Sequence, residues 1–278
     1  MPELPEVETT VRGIRPHMAG KTLRRIEVRD HRLRWPVDLP SELTPAPVLG
    51  LQRRAKYLLI ELPTGHLIVH LGMSGSLRWL PVAENPQKHD HIDFHLDDGS
   101  IVRYNDPRRF GSVHFQPAPL AEHFLLSKLG PEPLSDAFDG AYLKAMARSR
   151  RTPIKSVLMD AHVVVGVGNI YANEALFRAG VRPTHRASRM TLAACEAIVA
   201  EVKTVLGWAI ERGGTTLRDF VGGDGRPGYF QQELLVYGRE GEPCRRCGTD
   251  LNGVRITGRA TVYCPKCQPA SGFKATGC

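Results

Sequence analysis

Pro2, directly behind Met1 and ahead of Glu3 and Glu6, becomes the chain's N-terminal secondary amine once the methionine is removed. An α-amino group titrates near ~8, roughly two units below a lysine ammonium near ~10.4, so at neutral pH far more of it is the free base. Such an amine is a nucleophile, and its attack on an aldehyde or on C1′ of a sugar gives an iminium ion. Glu3, one residue away, is placed to donate or accept the proton that this step moves. Many chains begin Met-Pro-Glu without any such chemistry, so the rest of the sequence has to supply the context.

Cys244, Cys247, Cys264 and Cys267 form C-x2-C-x16-C-x2-C, while Cys195 and Cys278 stand apart. Two such pairs at this separation have the spacing of a tetrahedral zinc site, each pair giving two thiolates from one tight knuckle. Four protein thiolates leave no open coordination position for water or substrate, so the expected Zn2+ is structural, one per chain. A segment this short cannot bury enough apolar surface to fold alone, and metal binding supplies the missing free energy. Cys195 falls in a helical apolar stripe and is expected in the core. His70, His89 and His91 could suggest a second metal site, but no carboxylate and histidine set around them completes a ligand pattern.

Lys144, Arg148, Arg150, Arg151 and Lys155 put five cations into twelve residues with no acid among them. Gly166-Val-Gly-Asn169 then makes a turn before a helix, where backbone amides can hold a phosphate and Asn169 can add a side-chain contact. Helices joined by such a turn would clamp a DNA backbone; an ordinary helical hairpin with a solvated basic face fits that stretch equally well. Within the cysteine segment, Arg245, Arg246, Arg255, Arg259 and Lys266 face the single Asp250, a balance suited to phosphate contact. Met73 in Leu71-Gly-Met-Ser-Gly-Ser-Leu77, and Arg108 and Phe110 in Asp106-Pro-Arg-Arg-Phe-Gly111, set large side chains in turns rather than in an apolar period. They are candidate wedges for a base stack; packing under a loop is the plainer alternative.

These residues need elements to hold them. Val7, Val11 and Ile14 share one face of a first helix around residues 5–14. Strand-like runs follow at 23–29, 55–61 and 66–71, and Ile92, Phe94 and Leu96 alternate with polar residues before Asp98-Gly99 turns the chain into a hairpin. This pattern predicts a two-sheet antiparallel sandwich or barrel up to about residue 116. Leu129-Gly-Pro-Glu-Pro-Leu134 marks a domain boundary, and residues 135–215 read as helical, with Leu192, Cys195, Ile198, Val199, Val202, Val205, Leu206 and Ala209 at the 3.6-residue period ahead of Gly213-Gly214. A glycine-rich stretch from 215 to 236 is expected to be mobile and the last ten residues disordered.

The length of 278 residues with 42% hydrophobic content suits more than one core, and the net charge of +8 predicts attraction to a polyanion, of which nucleic acid is the commonest large one. The sequence shows no span long and apolar enough for a membrane and no leader pattern at its start, so a cytoplasmic location is expected.

Taken together, Met1-Pro-Glu-Leu-Pro-Glu-Val-Glu-Thr9, Gln52-Arg-Arg-Ala-Lys-Tyr57, His70-Leu-Gly-Met-Ser-Gly75, Asp106-Pro-Arg-Arg-Phe-Gly111, Gly166-Val-Gly-Asn-Ile-Tyr171 and the cysteine quartet closely resemble the bacterial formamidopyrimidine-DNA glycosylases, from Met1 to about Gln268. The resemblance implies an α+β multidomain fold: an N-terminal catalytic antiparallel β-sandwich with flanking helices (1–130), a helix-two-turns-helix domain (131–222), a glycine-rich base-recognition region and connector (223–236), a zinc-finger β-hairpin (237–268) and a tail (269–278). DNA would lie in the cleft between the halves. It further implies a bifunctional glycosylase and abasic-site lyase of base excision repair, acting as a monomer on double-stranded DNA that carries oxidised purines or abasic sites, in the bacterial cytoplasm with the nucleoid. Pro2 would attack C1′, Glu3 would protonate the ring oxygen or shuttle protons, and Glu6 would orient the amine or bind the flipped nucleoside. Lys56 would contact the phosphate beside the lesion and assist elimination. His89, Arg108, Arg151, Asn169 and Arg259 match phosphate contacts, Arg259 with a part in the second elimination, while Met73, Arg108 and Phe110 would fill the space left by the extruded nucleotide. Position 151 is lysine in some relatives; arginine here keeps the charge and offers a bidentate fork. The sister group resembling endonuclease VIII shares Pro2 and Glu3 but prefers oxidised pyrimidines, and a zinc-bearing damage sensor without chemistry or an RNA binder are further readings.

Overall fold

The computed structural model of the chain describes residues 2–214 and 234–270. The chain divides into two compact units, one made of residues 1–127 with 210–231 and the other of residues 128–209 with 232–278. The readings of a mobile glycine-rich stretch and a disordered tail fall for the most part on residues 215–233 and 271–278, outside the described residues, as does Cys278.

In the first unit, α1 (Leu4–Met18) opens with Pro5 in its first turn, where the missing N–H costs nothing. It runs one turn past the 5–14 span read from the sequence, because Ile14 and Met18 continue its buried stripe of Val7 and Val11. Nine strands follow: β1 (Thr22–Val28), β2 (Ala46–Pro47), β3 (Gly50–Arg54), β4 (Tyr57–Leu62), β5 (Gly65–His70), β6 (Ser76–Leu80), β7 (Asp90–Leu96), β8 (Ile101–Asn105) and β9 (Ser112–Pro117). They build two antiparallel sheets, ordered β2-β1-β7-β8-β6 and β3-β4-β5-β9. The expected hairpin is β7–β8, with Gly99 at φ +84 in its turn. Leu58, Ile60, Leu67, Val69, Ile92, Phe94, Val102 and Tyr104 join the α1 stripe in one buried cluster.

The second unit holds α2 (Gly140–Ala147), α3 (Ile154–Leu158), α4 (Asn169–Arg178), most of α5 (Leu192–Glu211) and a two-stranded hairpin of β10 (Asn252–Ile256) and β11 (Arg259–Tyr263). Cys195 is fully buried on α5, and burial pushes its thiol up to about 11, so it behaves as a small apolar side chain. A smaller core of Phe177, Val236, Cys244, Leu251, Val262, Cys264 and Cys267 ties the hairpin and its knuckles to α4. Among the described residues no helix is long and apolar enough to cross a membrane.

Candidate functional site

Glu3 is the N-cap of α1, and it forms a capping box with Glu6: the Glu3 carboxylate accepts from the Glu6 backbone amide, and Glu6 Oε2 accepts from the Glu3 amide at 2.8 Å. The two carboxylates are therefore fixed by the helix start, and Pro2, Glu3 and Glu6 are all buried. Gly214, at φ +79, closes against Glu6; a Cβ there would meet Glu6 Oε1 at 3.2 Å and its Cα at 3.4 Å. The start of α1 thus gathers the chain's first residues and two buried acidic side chains.

Lys56 sits in the two-residue turn between β3 and β4, where Ala55 adopts φ +56. Arg53 holds that turn to α1, its Nε donating to Glu8 Oε2 at 2.9 Å and its Nη1 to the Ala55 carbonyl at 3.1 Å. Burial alone would raise the Glu8 carboxyl, but Arg12 and Arg53 outweigh it and hold the group below its usual range.

His70, which the sequence offers as a metal candidate, stands at the end of β5. Its Nδ1 accepts from the Gly72 amide at 3.1 Å, which requires the neutral ring with the proton on Nε2. Burial, helped by the Lys56 and Arg34 charges, lowers its pKa to about 4. An unfolded histidine takes its proton near ~6.5, so between these pH values the unfolded state binds the extra proton. Stability contributed by neutral His70 is complete above pH ~6.5 and is lost as the pH falls toward about 4. The ring keeps some solvent contact, so we expect a loss on the order of 2 kcal/mol. Urea unfolding of His70→Gln, which does not titrate, should lack this limb; an unchanged slope would contradict the assignment.

Met73 is 39% and Phe110 44% exposed, at the tips of their two turns. The Arg108 guanidinium lies over the Phe110 ring, 4.9 Å from its centroid. Each keeps more than a third of its surface exposed, whereas a side chain packed under its loop would be covered. His89 is partly exposed, and its carbonyl accepts from the Asp106 amide at 3.1 Å.

In the second unit the run of five cations does not form one basic face. Arg148 and Arg151 are exposed. Arg150 pairs with Asp160 at 2.6 Å, and Lys144 donates to the Met190 carbonyl. Lys155 is 1% exposed; its ammonium donates to Asn169 Oδ1 at 2.6 Å, Thr261 Oγ1 at 2.7 Å and the Ala260 carbonyl at 3.1 Å. The sequence reading of Lys155 as a clamp cation is corrected: it is an internal strut. It turns the Asn169 amide so that Oδ1 faces inward, and Nδ2 reaches the Ala260 carbonyl at 3.1 Å. The exposed Arg259 starts β11 next to Ala260, after a turn in which Thr257 (φ +50) and Gly258 (φ +76) are both left-handed. Replacing Lys155 by Met should weaken DNA binding about tenfold by mobility shift, because Asn169 Oδ1, Thr261 Oγ1 and the Ala260 carbonyl lose their shared donor. Asn169→Ala should then add little in that background; multiplying effects would show that the two act separately.

The four cysteine sulfurs come within 4.8 Å of one another, with Cys244 and Cys267 at 3.9 Å and Cys247 and Cys264 at 3.5 Å. Zinc–sulfur bonds of about 2.3 Å in a tetrahedron require sulfurs about 3.8 Å apart, so the quartet fits one Zn2+. The other metal-capable group among the described residues, Glu27, Asp93 and His95, excludes His70, His89 and His91. Its carboxylates are already matched by Arg25, Arg29 and Arg103, which makes it an ion-pair network.

Comparisons with known proteins cover most of the chain. Family models match at residues 1–113 (formamidopyrimidine-DNA glycosylase N-terminal domain), 129–221 (formamidopyrimidine-DNA glycosylase H2TH domain) and 241–270 (zinc finger found in FPG and IleRS). A formamidopyrimidine-DNA glycosylase of Photobacterium damsela subsp. piscicida is 55% identical over 96% of this chain and all of its own length. The crystal structure of the MutM (FPG) protein of Thermus thermophilus superposes with a TM-score of 0.87 at 39% identity, covering 98% of this chain and 100% of that one. A variant of the Lactococcus lactis FPG, in complex with a DNA containing Fapy-dG, gives 0.89 at 33% identity over 96% and 100% of the two chains.

Proposed function

Because this chain belongs to the formamidopyrimidine-DNA glycosylase family, a group of bifunctional glycosylases and abasic-site lyases of base excision repair, we propose that the free amine of Pro2 is its nucleophile. The observation that carries this reading is the capping box. It places two buried carboxylates at the start of the helix that Pro2 leads into.

In the proposed sequence, the Pro2 nitrogen attacks C1′ of the flipped nucleotide, and the glycosidic bond breaks with its electron pair leaving on the base, which takes up the proton that the amine gives up. Glu3 delivers a proton to O4′ as the C1′–O4′ bond opens, which leaves an iminium between C1′ and Pro2. The C2′ hydrogens are acidic beside that cation. Loss of one expels the 3′ phosphate by β-elimination, and a further deprotonation expels the 5′ phosphate by δ-elimination. Glu6 holds the Glu3 backbone and so the reach of its side chain. Lys56 and His89 meet phosphates on the first unit; Asn169, Arg151 and Arg259 do so on the second, where backbone contacts fix register rather than read sequence. Met73, Arg108 and Phe110 fill the vacated stack, which offsets an unstacking cost of a few kcal/mol. The Cys244, Cys247, Cys264 and Cys267 thiolates hold the structural zinc. The protein works on chromosomal DNA in the bacterial cytoplasm, as its bacterial relatives suggest.

The substrates are oxidised purines, a reading supported by the relative solved on Fapy-dG DNA. Single-turnover excision should be at least about tenfold faster from an 8-oxoguanine duplex than from a thymine glycol duplex, a margin of roughly 1.4 kcal/mol. The reverse order would favour the endonuclease VIII type of specificity.

A further inference from the structure

The two loops that carry the proposed wedge meet on a single carboxylate. Asp106 is fully buried, at 0% exposure. Its Oδ1 accepts from Ser74 Oγ at 2.8 Å and from the Arg108 amide at 3.3 Å, while its Oδ2 accepts from the Gly111 amide at 2.8 Å and from Tyr104 OH at 3.3 Å. Its own carbonyl accepts from the Arg109 amide at 3.3 Å and lies 2.9 Å from His91 Nε2. Ser74 follows Met73, and Arg108 and Gly111 bracket Arg109 and Phe110, so one side chain addresses both wedge loops. Their backbones also touch: a Cβ on Gly72, at φ +63, would stand 2.4 Å from both the Phe110 carbonyl carbon and the Gly111 amide nitrogen.

A buried carboxylate is costly unless donors surround it, and charge-assisted hydrogen bonds are the strong ones. Asparagine cannot replace it: with one acceptor oxygen and an NH2, it would set donor against donor on one side whichever way it turned. We propose that Asp106 is a positioning residue that binds the Met73 loop and the Arg108–Phe110 loop into one preformed wedge, so that the three side chains enter the duplex in a single step. The idea rests on reading those three residues as the wedge. Without the link, each loop would have to be ordered separately during insertion, and that ordering costs conformational entropy at the transition state.

The test separates the wedge from the chemistry. A duplex carrying a tetrahydrofuran abasic analogue gives Pro2 no aldehyde to attack, and 2-aminopurine opposite it brightens when the stack is opened. Stopped-flow mixing with wild-type protein should give a rise whose rate falls about tenfold in Asp106→Asn and about threefold in Ser74→Ala, from lost or opposed donors to a buried acceptor. The bimolecular binding phase should stay within about twofold of wild type in both, since the proposed phosphate contacts of Lys56, Asn169, Arg151 and Arg259 that drive encounter are untouched. Met73→Ala should slow insertion in the wild type and add little in Asp106→Asn. Insertion at the wild-type rate in a folded Asp106→Asn protein would overturn the proposal, and so would an equal slowing of binding and insertion. If Asp106→Asn does not fold, Ser74→Ala and Tyr104→Phe, each deleting one donor, carry the test, and wild-type insertion in both overturns it. A wild-type protein that produces no rise at all refutes the wedge reading itself, a result distinct from a normal rise that the variants leave unchanged.

Discussion

Extending the chain by even one residue ahead of Pro2 should lower both base excision and abasic-site cleavage by at least about 10³-fold, because an acylated nitrogen has no lone pair to give to C1′. The loss should fall on kcat, with DNA affinity within about threefold of wild type, since the proposed phosphate contacts lie elsewhere on the chain. Pro2→Gly makes a more graded case. It supplies a primary amine that can still form a Schiff base, but it gives up the ring that fixes φ ahead of Glu3, so a partial activity is expected. Glu3 and Glu6 remain in their capping box in both variants, and the helix start should survive. Single-turnover cleavage of 8-oxoguanine and abasic duplexes measures both effects. Activity in the extended protein equal to that of the wild type would place the nucleophile elsewhere.

Removal of zinc should be the second large effect, and it should act on binding rather than chemistry. The quartet forms part of the small core in which Val236, Leu251 and Val262 pack with Phe177 of α4, so losing the metal opens that core as well as the knuckles. The hairpin would no longer hold Ala260 and Thr261 against Lys155, and Asn169 and Arg259 would lose their fixed relation. A structural zinc site contributes on the order of 10 kcal/mol to local folding, so the hairpin should unfold without it. Chelated protein, or Cys244→Ser, should bind DNA at least about 10²-fold more weakly and melt at lower temperature. Metal content by emission spectroscopy, mobility shift and calorimetry on one preparation test the link. Full DNA affinity with no bound metal would break it.

Much of this arrangement was legible in the sequence, and the legible parts share a cause: they are encoded by local spacing. The quartet declares itself through two short intervals, and β7 and β8 through alternation around Asp98-Gly99. Strands β3, β6 and β9 leave only weak marks: β3 holds one apolar side chain, Leu51, while β6 and β9 do alternate, but only through Leu77 and Trp79 and through Val113 and Phe115, too short a pattern to stand out. Lys155 was misread for a related reason. In the sequence it closes a run of cations, whereas its partners Ala260 and Thr261 lie 105 and 106 residues further on, and only tertiary structure brings them under it. Asp106 was seen only as the first letter of a wedge motif; its bond to Ser74 spans 32 residues and leaves no periodic trace. Glu3 and Glu6 were read for chemistry alone, yet their spacing is also that of a capping box.

The central claim concerns one nitrogen. Borohydride reduction of the enzyme on an 8-oxoguanine duplex, followed by nuclease and protease digestion and mass spectrometry, locates the carbon–nitrogen bond formed during turnover. The expected product is a peptide beginning at Pro2, without Met1, that carries the sugar remnant on its terminal nitrogen. A remnant found instead on a lysine side chain, or active protein that still bears Met1, would contradict the account.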